Sequence, residues 1–367
     1  MARNNKRKLI SLIGSGNIGG IMGYLTQLTE LADVNFFDIV PNIGAGKSLD
    51  IMHANSIQGK AYKCKGTNNY EDISGSDVCI VTAGNSYEEN NSTKIAAPGK
   101  GANFTAMKCT MGKGANFTAM ECTMGKGARL AKAPTKSNEE WNRDDLVGYN
   151  SKIIRDVGEN IKKYAPEAFV IVITNPMDVM VHLMLKVTGF PKNMVVGMGG
   201  LLDSSRMNCY IAEKLGVNPK YVHGSVIGAH GDSMIPLVSR STVYGIPILQ
   251  FVEQGYITME DIKEIEERTV TSAFEILKLY GSGSSYFAPA TAAIEMASSY
   301  LNDKKCVFPC SCYLEGQYGH RDIYCGTPAV IGANGVEKVF ELKLTPEEQD
   351  KYDASIKEIK RLEALIK

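Results

Sequence analysis

The hexapeptide Gly14-Ser15-Gly16-Asn17-Ile18-Gly19 constrains this chain more than any other feature, because of what flanks it. Before it, Arg7 to Ile13 reads as a short apolar strand; after it, Gly19 to Leu31 reads as an apolar-rich helix. Between a strand and a helix, each glycine of G-x-G-x-x-G has a physical task. Gly14 permits a tight turn, Gly16 lets a pyrophosphate approach the backbone, and Gly19 lets the helix pack closely on the strand. Asn17 and Ile18 complete the loop, and the helix N-terminus presents free N–H groups to an anion. Asp38 lies near the end of the next strand-like run, Asp33 to Val40, where a carboxylate can accept from both hydroxyls of a ribose. The same charge repels a 2′-phosphate, so NAD is the expected cofactor rather than NADP. Thr82-Ala83-Gly84, at the carboxyl end of the run Asp77 to Gly84, fits the path of that cofactor across the sheet.

Strand-like and helix-like segments alternate through the first half of the chain. Gly46 to Asn55 and Asn150 to Tyr164 read as helices, while DVCIVTAG and Phe169 to Thr174 are continuous apolar runs, as expected of strands buried on both faces. Beyond about Gly197 the pattern changes to hairpin-like segments and long helices, clearest at Met259 to Tyr280 and Ala288 to Leu301. Thr345, Pro346 and Glu348 announce a last helix through an N-cap, an N1 proline and a capping box. The expected architecture is α/β. A Rossmann-type doubly wound parallel sheet spans residues 7–197, followed by a mixed α+β catalytic domain over 198–367.

Composition excludes several classes. Forty basic residues balance forty acidic ones, so no net field favours nucleic acid or an anionic membrane. No apolar run approaches the roughly 18 residues of a membrane span. The basic start MARNNKRKLISLIG leads straight into the glycine loop and reads as a first strand rather than a signal peptide. Nine scattered cysteines without a C-x-x-C pair point to buried thiols in a reducing, cytoplasmic compartment, and to neither a disulfide framework nor a metal site.

Reducing a carbonyl with a nicotinamide requires a proton donor, a group that orients it, and a cation that polarises the carbonyl; a 2-oxo acid also needs a carboxylate clamp. His230, set among small residues in GAHG, is the candidate acid and base, with Asp203 of LLDSSR as its partner. Arg206 suits a bidentate grip on a carboxylate, and Arg143 of WNRDD suits polarisation of a carbonyl. Asn175 of ITNP ends a buried strand at the sheet edge where ligands bind in such folds. His53, His182, His223 and His320 read as structural, with no comparable partners evident nearby.

GSGNIGG, DIV, TAG, WNRDDL, ITNP, LLDSSR and GAHG, in this order, resemble the lactate and malate dehydrogenases. KAPTKSNEEWNR is similar to the long, tryptophan-bearing substrate loop of apicomplexan lactate dehydrogenases. The resemblance implies NAD as cofactor, a 2-oxo or 2-hydroxy acid as substrate and a homotetramer. It also makes His230 and Asp203 the proton relay, Arg206 the carboxylate ligand, Arg143 the carbonyl polariser, and places Asn175 at substrate and nicotinamide. Malate dehydrogenases carry a loop arginine shortly before the catalytic one. Here Trp141 stands two residues before Arg143, with Lys136 farther off, so pyruvate is expected over oxaloacetate. Two alternatives stand beside this: a malate dehydrogenase, or an impaired dinucleotide-binding protein.

Residues 101–113 and 114–126 are tandem copies differing only at Lys108 and Glu121. A period of 13 fits no stacking repeat. Joining Gly84 to Leu130 restores a continuous strand end and substrate loop (residues 130–148), so 85–129 reads as an insertion, a partner-binding arm in the impaired-protein alternative.

Overall fold

The computed structural model describes residues 7–84, 143–281 and 284–366. The expected insertion, Trp141 and the Arg143 side chain lie outside the described residues, although the backbone of Arg143 opens a helix.

The chain runs β1 (Leu9–Ile13), α1 (Asn17–Leu28), β2 (Asp33–Phe37), α2 (Ile43–Ile57), β3 (Cys64–Thr67), β4 (Val78–Val81), α3 (Arg143–Tyr164), β5 (Phe169–Val172), α4 (Met177–Thr188), β6 (Val195–Gly197) and α5 (Gly200–Leu215). The second half contains β7 (Val222–His223), β8 (Val226–Gly228), β9 (Met234–Pro236), β10 (Thr242–Val243), β11 (Ile246–Pro247), α6 (Ile248–Glu253), α7 (Met259–Tyr280) and α8 (Phe287–Leu301). It ends with β12 (Cys306–Glu315), β13 (Arg321–Gly332), β14 (Gly335–Val339) and α9 (Pro346–Glu363).

The strands β3-β2-β1-β4-β5-β6 lie side by side in parallel, the doubly wound order in which the chain starts at the middle and winds outward both ways. The sheet continues without a break into β12-β13-β8-β9, which are antiparallel, with β14 on the flank of β13. The boundary expected at 197/198 falls between β6 and α5.

Alternating burial explains why the central strands read as continuous apolar runs. In β4, Val78 and Ile80 face a layer containing Met22 of α1 and Ala293 of α8, whereas Cys79 and Val81 face Ile154 of α3 and Met180 of α4. Both faces are dry, so no polar alternation survives. A third cluster packs Met207 and Ile211 of α5 against Ile262 and Ile265 of α7.

The two halves of the sheet meet along a row of small residues: Gly197 opposite Ser311, Ser311 opposite Gly326, and Gly326 opposite Gly228. A Cβ on Gly326 would stand 2.4 Å from the Gly228 carbonyl oxygen, so only glycine lets β13 and β8 approach this closely. The last helix has the cap read from sequence: Thr345 accepts from the Glu348 N–H at 3.2 Å, and Glu348 accepts from the Thr345 N–H at 2.9 Å.

Two of the histidines read as structural have partners that the sequence did not show. His182 pairs with Glu363 of α9, and His320 bonds Asp353 of α9 at 2.8 Å, so both have carboxylate partners that sequence distance concealed. They tie α4 and the β12–β13 turn to the last helix. Among the described cysteines all are free, and burial pushes the Cys64 and Cys79 thiols up to about 12; Cys209, on α5, is exposed. Among the described residues no helix is long and apolar enough to cross a membrane, and no cluster of His, Cys, Asp and Glu is set to hold a metal ion.

Candidate active site

The glycine loop joins β1 to α1. Gly14 has φ +108°, a conformation that residues with a side chain rarely adopt, and a Cβ on Gly19 would stand 2.2 Å from the Gly14 carbonyl oxygen. Gly16 has no atom within 4 Å of the place a Cβ would take, so the outer face of the turn is open. Asp38, just past β2, accepts from the Ser15 N–H at 2.8 Å and from the Val40 N–H at 2.9 Å, which ties the acid to the loop. Each carboxylate oxygen keeps a lone pair for a further donor. Thr82 bonds the Gly14 carbonyl at 3.1 Å, and Ala83 bonds that of Ile13 at 2.9 Å, so the Thr82–Gly84 turn closes over the loop. An open turn at a helix N-terminus beside an acid fits a dinucleotide's pyrophosphate and ribose. Lys47, which sequence reading passed over, donates to the Gly16 carbonyl and adds a cation beside the turn. Burial pulls its ammonium below the usual lysine value, against the pull of Asp38.

A cavity of about 230 Å³ opens next to this loop, lined by Ile18, Thr82, Gly84 and Asn175 on one side and by Arg206 and His230 on the other. The expected residues Asp203, Arg206, His230 and Asn175 therefore converge, although they arise from α5, the turn after β8, and the end of β5. Asn175 stands exposed, its carbonyl accepting from the Asn150 amide of α3 at 2.6 Å, and its bond to Pro176 is cis.

His230 is 17% exposed, and its Nδ1 lies 2.8 Å from Oδ2 of Asp203, which is 1% exposed. With Nδ1–H donating to that carboxylate, Nε2 is the nitrogen left for a ligand. Burial by itself disfavours the charged ring, but the Asp203 carboxylate, with help from Asp178, outweighs it and the nearby Arg206, so His230 lies above the ordinary imidazole value. Arg206 donates to the other Asp203 oxygen at 3.2 Å and to the Ser285 hydroxyl at 3.3 Å. Its buried Nε has no acceptor among the described residues.

The turn that carries His230 is pinned from two sides. The Ala229 N–H donates to Ser355 of α9 at 2.7 Å, and the His230 N–H donates to Asp178 of α4 at 2.8 Å. Asp178 also accepts from Ser311 of β12 at 2.6 Å. Sequence reading missed Asp178 and Ser311; the one available signal was an acid inside the apolar run MDVMVHLML.

Family models match nearly the whole chain. The model of the lactate/malate dehydrogenase NAD-binding domain matches residues 8–94 and 97–197, and that of the lactate/malate dehydrogenase alpha/beta C-terminal domain matches residues 201–365. The chain belongs to the lactate/malate dehydrogenase family. Its fold is the family's NAD-binding domain followed by the alpha/beta domain, and NAD is its cofactor. It is similar to a lactate dehydrogenase of Cryptosporidium parvum, solved with lactic acid and nicotinamide adenine dinucleotide, at 41% identity and TM-score 0.82, covering 98% of each chain. A lactate dehydrogenase of Eimeria maxima, solved with NADH and oxamate, is also 41% identical with TM-score 0.82, over 99% of this chain and 95% of that one. A malate dehydrogenase of Cryptosporidium parvum is 38% identical with TM-score 0.82, over 98% and 99% respectively. Within this family of NAD-dependent oxidoreductases, overall likeness does not separate lactate from malate chemistry.

Proposed function

We propose that this chain is an NAD-dependent L-lactate dehydrogenase that interconverts pyruvate and L-lactate. The observation that carries the choice of substrate is the charge of the cavity. Among the described lining residues, Arg206 and His230 are the only groups that bear positive charge, and Asp232 adds a carboxylate. Val270, Ala273, Phe274 and Leu277 of α7 supply an apolar wall. With Arg143 assigned to the carbonyl, the one guanidinium among the described lining residues suits one carboxylate, and Trp141 stands near the place where a malate dehydrogenase carries a second arginine. Oxaloacetate brings a second carboxylate, which would meet an acid and apolar surface, at a cost of several kcal/mol if it were desolvated without a partner.

In this reading Arg206 grips the pyruvate carboxylate, with its Nε–H, which has no partner among the described residues, as one of the available donors. His230 holds a proton on Nε2 and gives it to the carbonyl oxygen, while Asp203 keeps Nδ1 protonated and stabilises the ring's charge. Bound NADH supplies the hydride to the carbonyl carbon. In the reverse direction the neutral ring takes the hydroxyl proton. Arg143, at the first position of α3, is assigned to polarise the carbonyl, Trp141 to cover the methyl group, and Asn175 to orient the substrate. Gly14, Gly16, Asn17, Ile18, Gly19, Asp38 and Thr82 to Gly84 are assigned to the cofactor. The domain division at 197/198, a homotetramer and a cytoplasmic location complete the reading.

The second reading, malate dehydrogenase, draws support from the similarity to the Cryptosporidium parvum enzyme. Following NADH absorbance with pyruvate and separately with oxaloacetate decides between them. Higher kcat/KM with pyruvate is expected; higher kcat/KM with oxaloacetate refutes the lactate reading, and turnover with neither leaves a dinucleotide-binding protein.

A further inference from the structure

Asp178 is the second residue of α4, two positions past the cis Asn175-Pro176 bond, and it is 3% exposed. Its Oδ1 accepts the Ser311 hydroxyl at 2.6 Å and its Oδ2 the His230 N–H at 2.8 Å. Both oxygens act as acceptors, the pattern of an ionised carboxylate, and the N-terminal turn of α4 favours negative charge there. A buried carboxylate is costly unless its surroundings compensate for it. Here both compensating donors lead to the proton relay and to the strand beneath it. Ser311 sits in the row of small residues where the parallel and antiparallel halves of the sheet meet.

We propose that Asp178 is a positioning residue for the proton relay: it fastens the His230 backbone to β12 through Ser311, and it sets a second carboxylate beside the one on Asp203. The inference rests on the reading of His230 as the group that moves the proton.

The groups around the pair are known. His230 feels Asp203 and Arg206 from α5 and Asp178 from α4; Asp178 feels His230, Asp203, Cys325 of β13 and Tyr352 of α9. Burial raises Asp178 above the usual carboxylate value, while Ser311 and His230 pull it back, and Asp178 in turn favours the protonated ring. Two carboxylates thus act against one guanidinium and burial in setting the proton affinity of His230.

The decisive variant is Asp178→Asn, which keeps an oxygen for the His230 N–H and a polar group for Ser311 while removing the charge. In the NAD-bound enzyme labelled at its five histidines, an NMR titration assigned with His230→Gln reads the ring directly. The His230 titration is expected to move to lower pH in Asp178→Asn, together with the basic limb of kcat/KM for pyruvate. NADH affinity should stay unchanged. A folded Asp178→Asn whose His230 titrates as in the wild type overturns the electrostatic half of the proposal. Ser311→Ala keeps the charge and releases the bridge; kcat is expected to fall roughly tenfold with the pyruvate KM unchanged, since small misplacement of a reacting group is expensive. A wild-type kcat in Ser311→Ala overturns the positioning half. The titration needs no turnover, so it judges Asp178 even if the enzyme used neither pyruvate nor oxaloacetate.

Discussion

Replacing Asp203 by asparagine tests the relay where its geometry is most demanding. Asp203 is 1% exposed and accepts two bonds, from His230 Nδ1 at 2.8 Å and from Arg206 at 3.2 Å. Asparagine has one acceptor and one donor end. Arg206 is donor-only and cannot deprotonate, so the amide oxygen must turn to it, which leaves the NH2 group facing His230. Nδ1 then becomes an acceptor, and the neutral ring carries its proton on Nε2, the wrong tautomer for accepting a proton from lactate. The charged ring also loses a buried, charge-assisted bond worth about 2–3 kcal/mol. That converts to a loss of roughly 30- to 150-fold in kcat/KM. Because the reaction's equilibrium is unchanged, pyruvate reduction and lactate oxidation must lose equally at a given pH. The pH profile gives an independent reading. His230 lies above the ordinary imidazole value in the wild type, so reduction, which needs the charged ring, declines as pH rises through that raised value, and oxidation grows. Without Asp203 that transition moves to lower pH. Stopped-flow NADH absorbance across pH measures both. A loss below about threefold, with the profile unmoved, would refute the relay.

Arg206→Lys replaces a planar fork with a point charge; the pyruvate KM is expected to rise by roughly two orders of magnitude while NADH binding, followed by fluorescence, stays the same. Asp38→Ala removes the acceptor tied to the Ser15 and Val40 N–H groups, so NADH should bind about tenfold more weakly and NADPH hardly more weakly. Comparing kcat/KM for the two cofactors measures the narrowing. Thr345→Ala deletes the cap of α9 and should cost about 1 kcal/mol in urea unfolding with little change in kcat, because the cap lies about three turns of helix from Ser355, which bonds the Ala229 N–H.

Legibility in the sequence followed the range of the forces involved. The glycine loop, the buried strands, the helix over Met259–Tyr280 and the Thr345 capping box rest on neighbours within a few residues, and all are present in the structure. Helix α4 places Asp178, His182 and Lys186 at helical spacing, but it is buried from Met177 to Met184, so Asp178 and His182 meet partners rather than water. Strand β3 is short and polar, CKGT, held by its register with β2 rather than by its own composition. Among the site residues, Asp203 and Arg206 share one helix and were readable together. Asp178 and Ser311 gave no signal as a pair.

The sequence by itself pointed to the turn after β1 as the place for a dinucleotide, since a turn with φ +108° at Gly14 and close packing at Gly19 fits that task between a strand and a helix. It also determined the chemical types needed for carbonyl reduction. Only the tertiary structure decided which of them meet. His230 lies 27 residues from Asp203, 52 from Asp178, and Asp178 lies 133 from Ser311, yet the four form one hydrogen-bonded group. Such contacts depend on the sheet bringing β6, β12, β13 and β8 together along glycines and a serine. Local pattern carries no information about that approach, because its cost and its gain are settled by packing between distant segments.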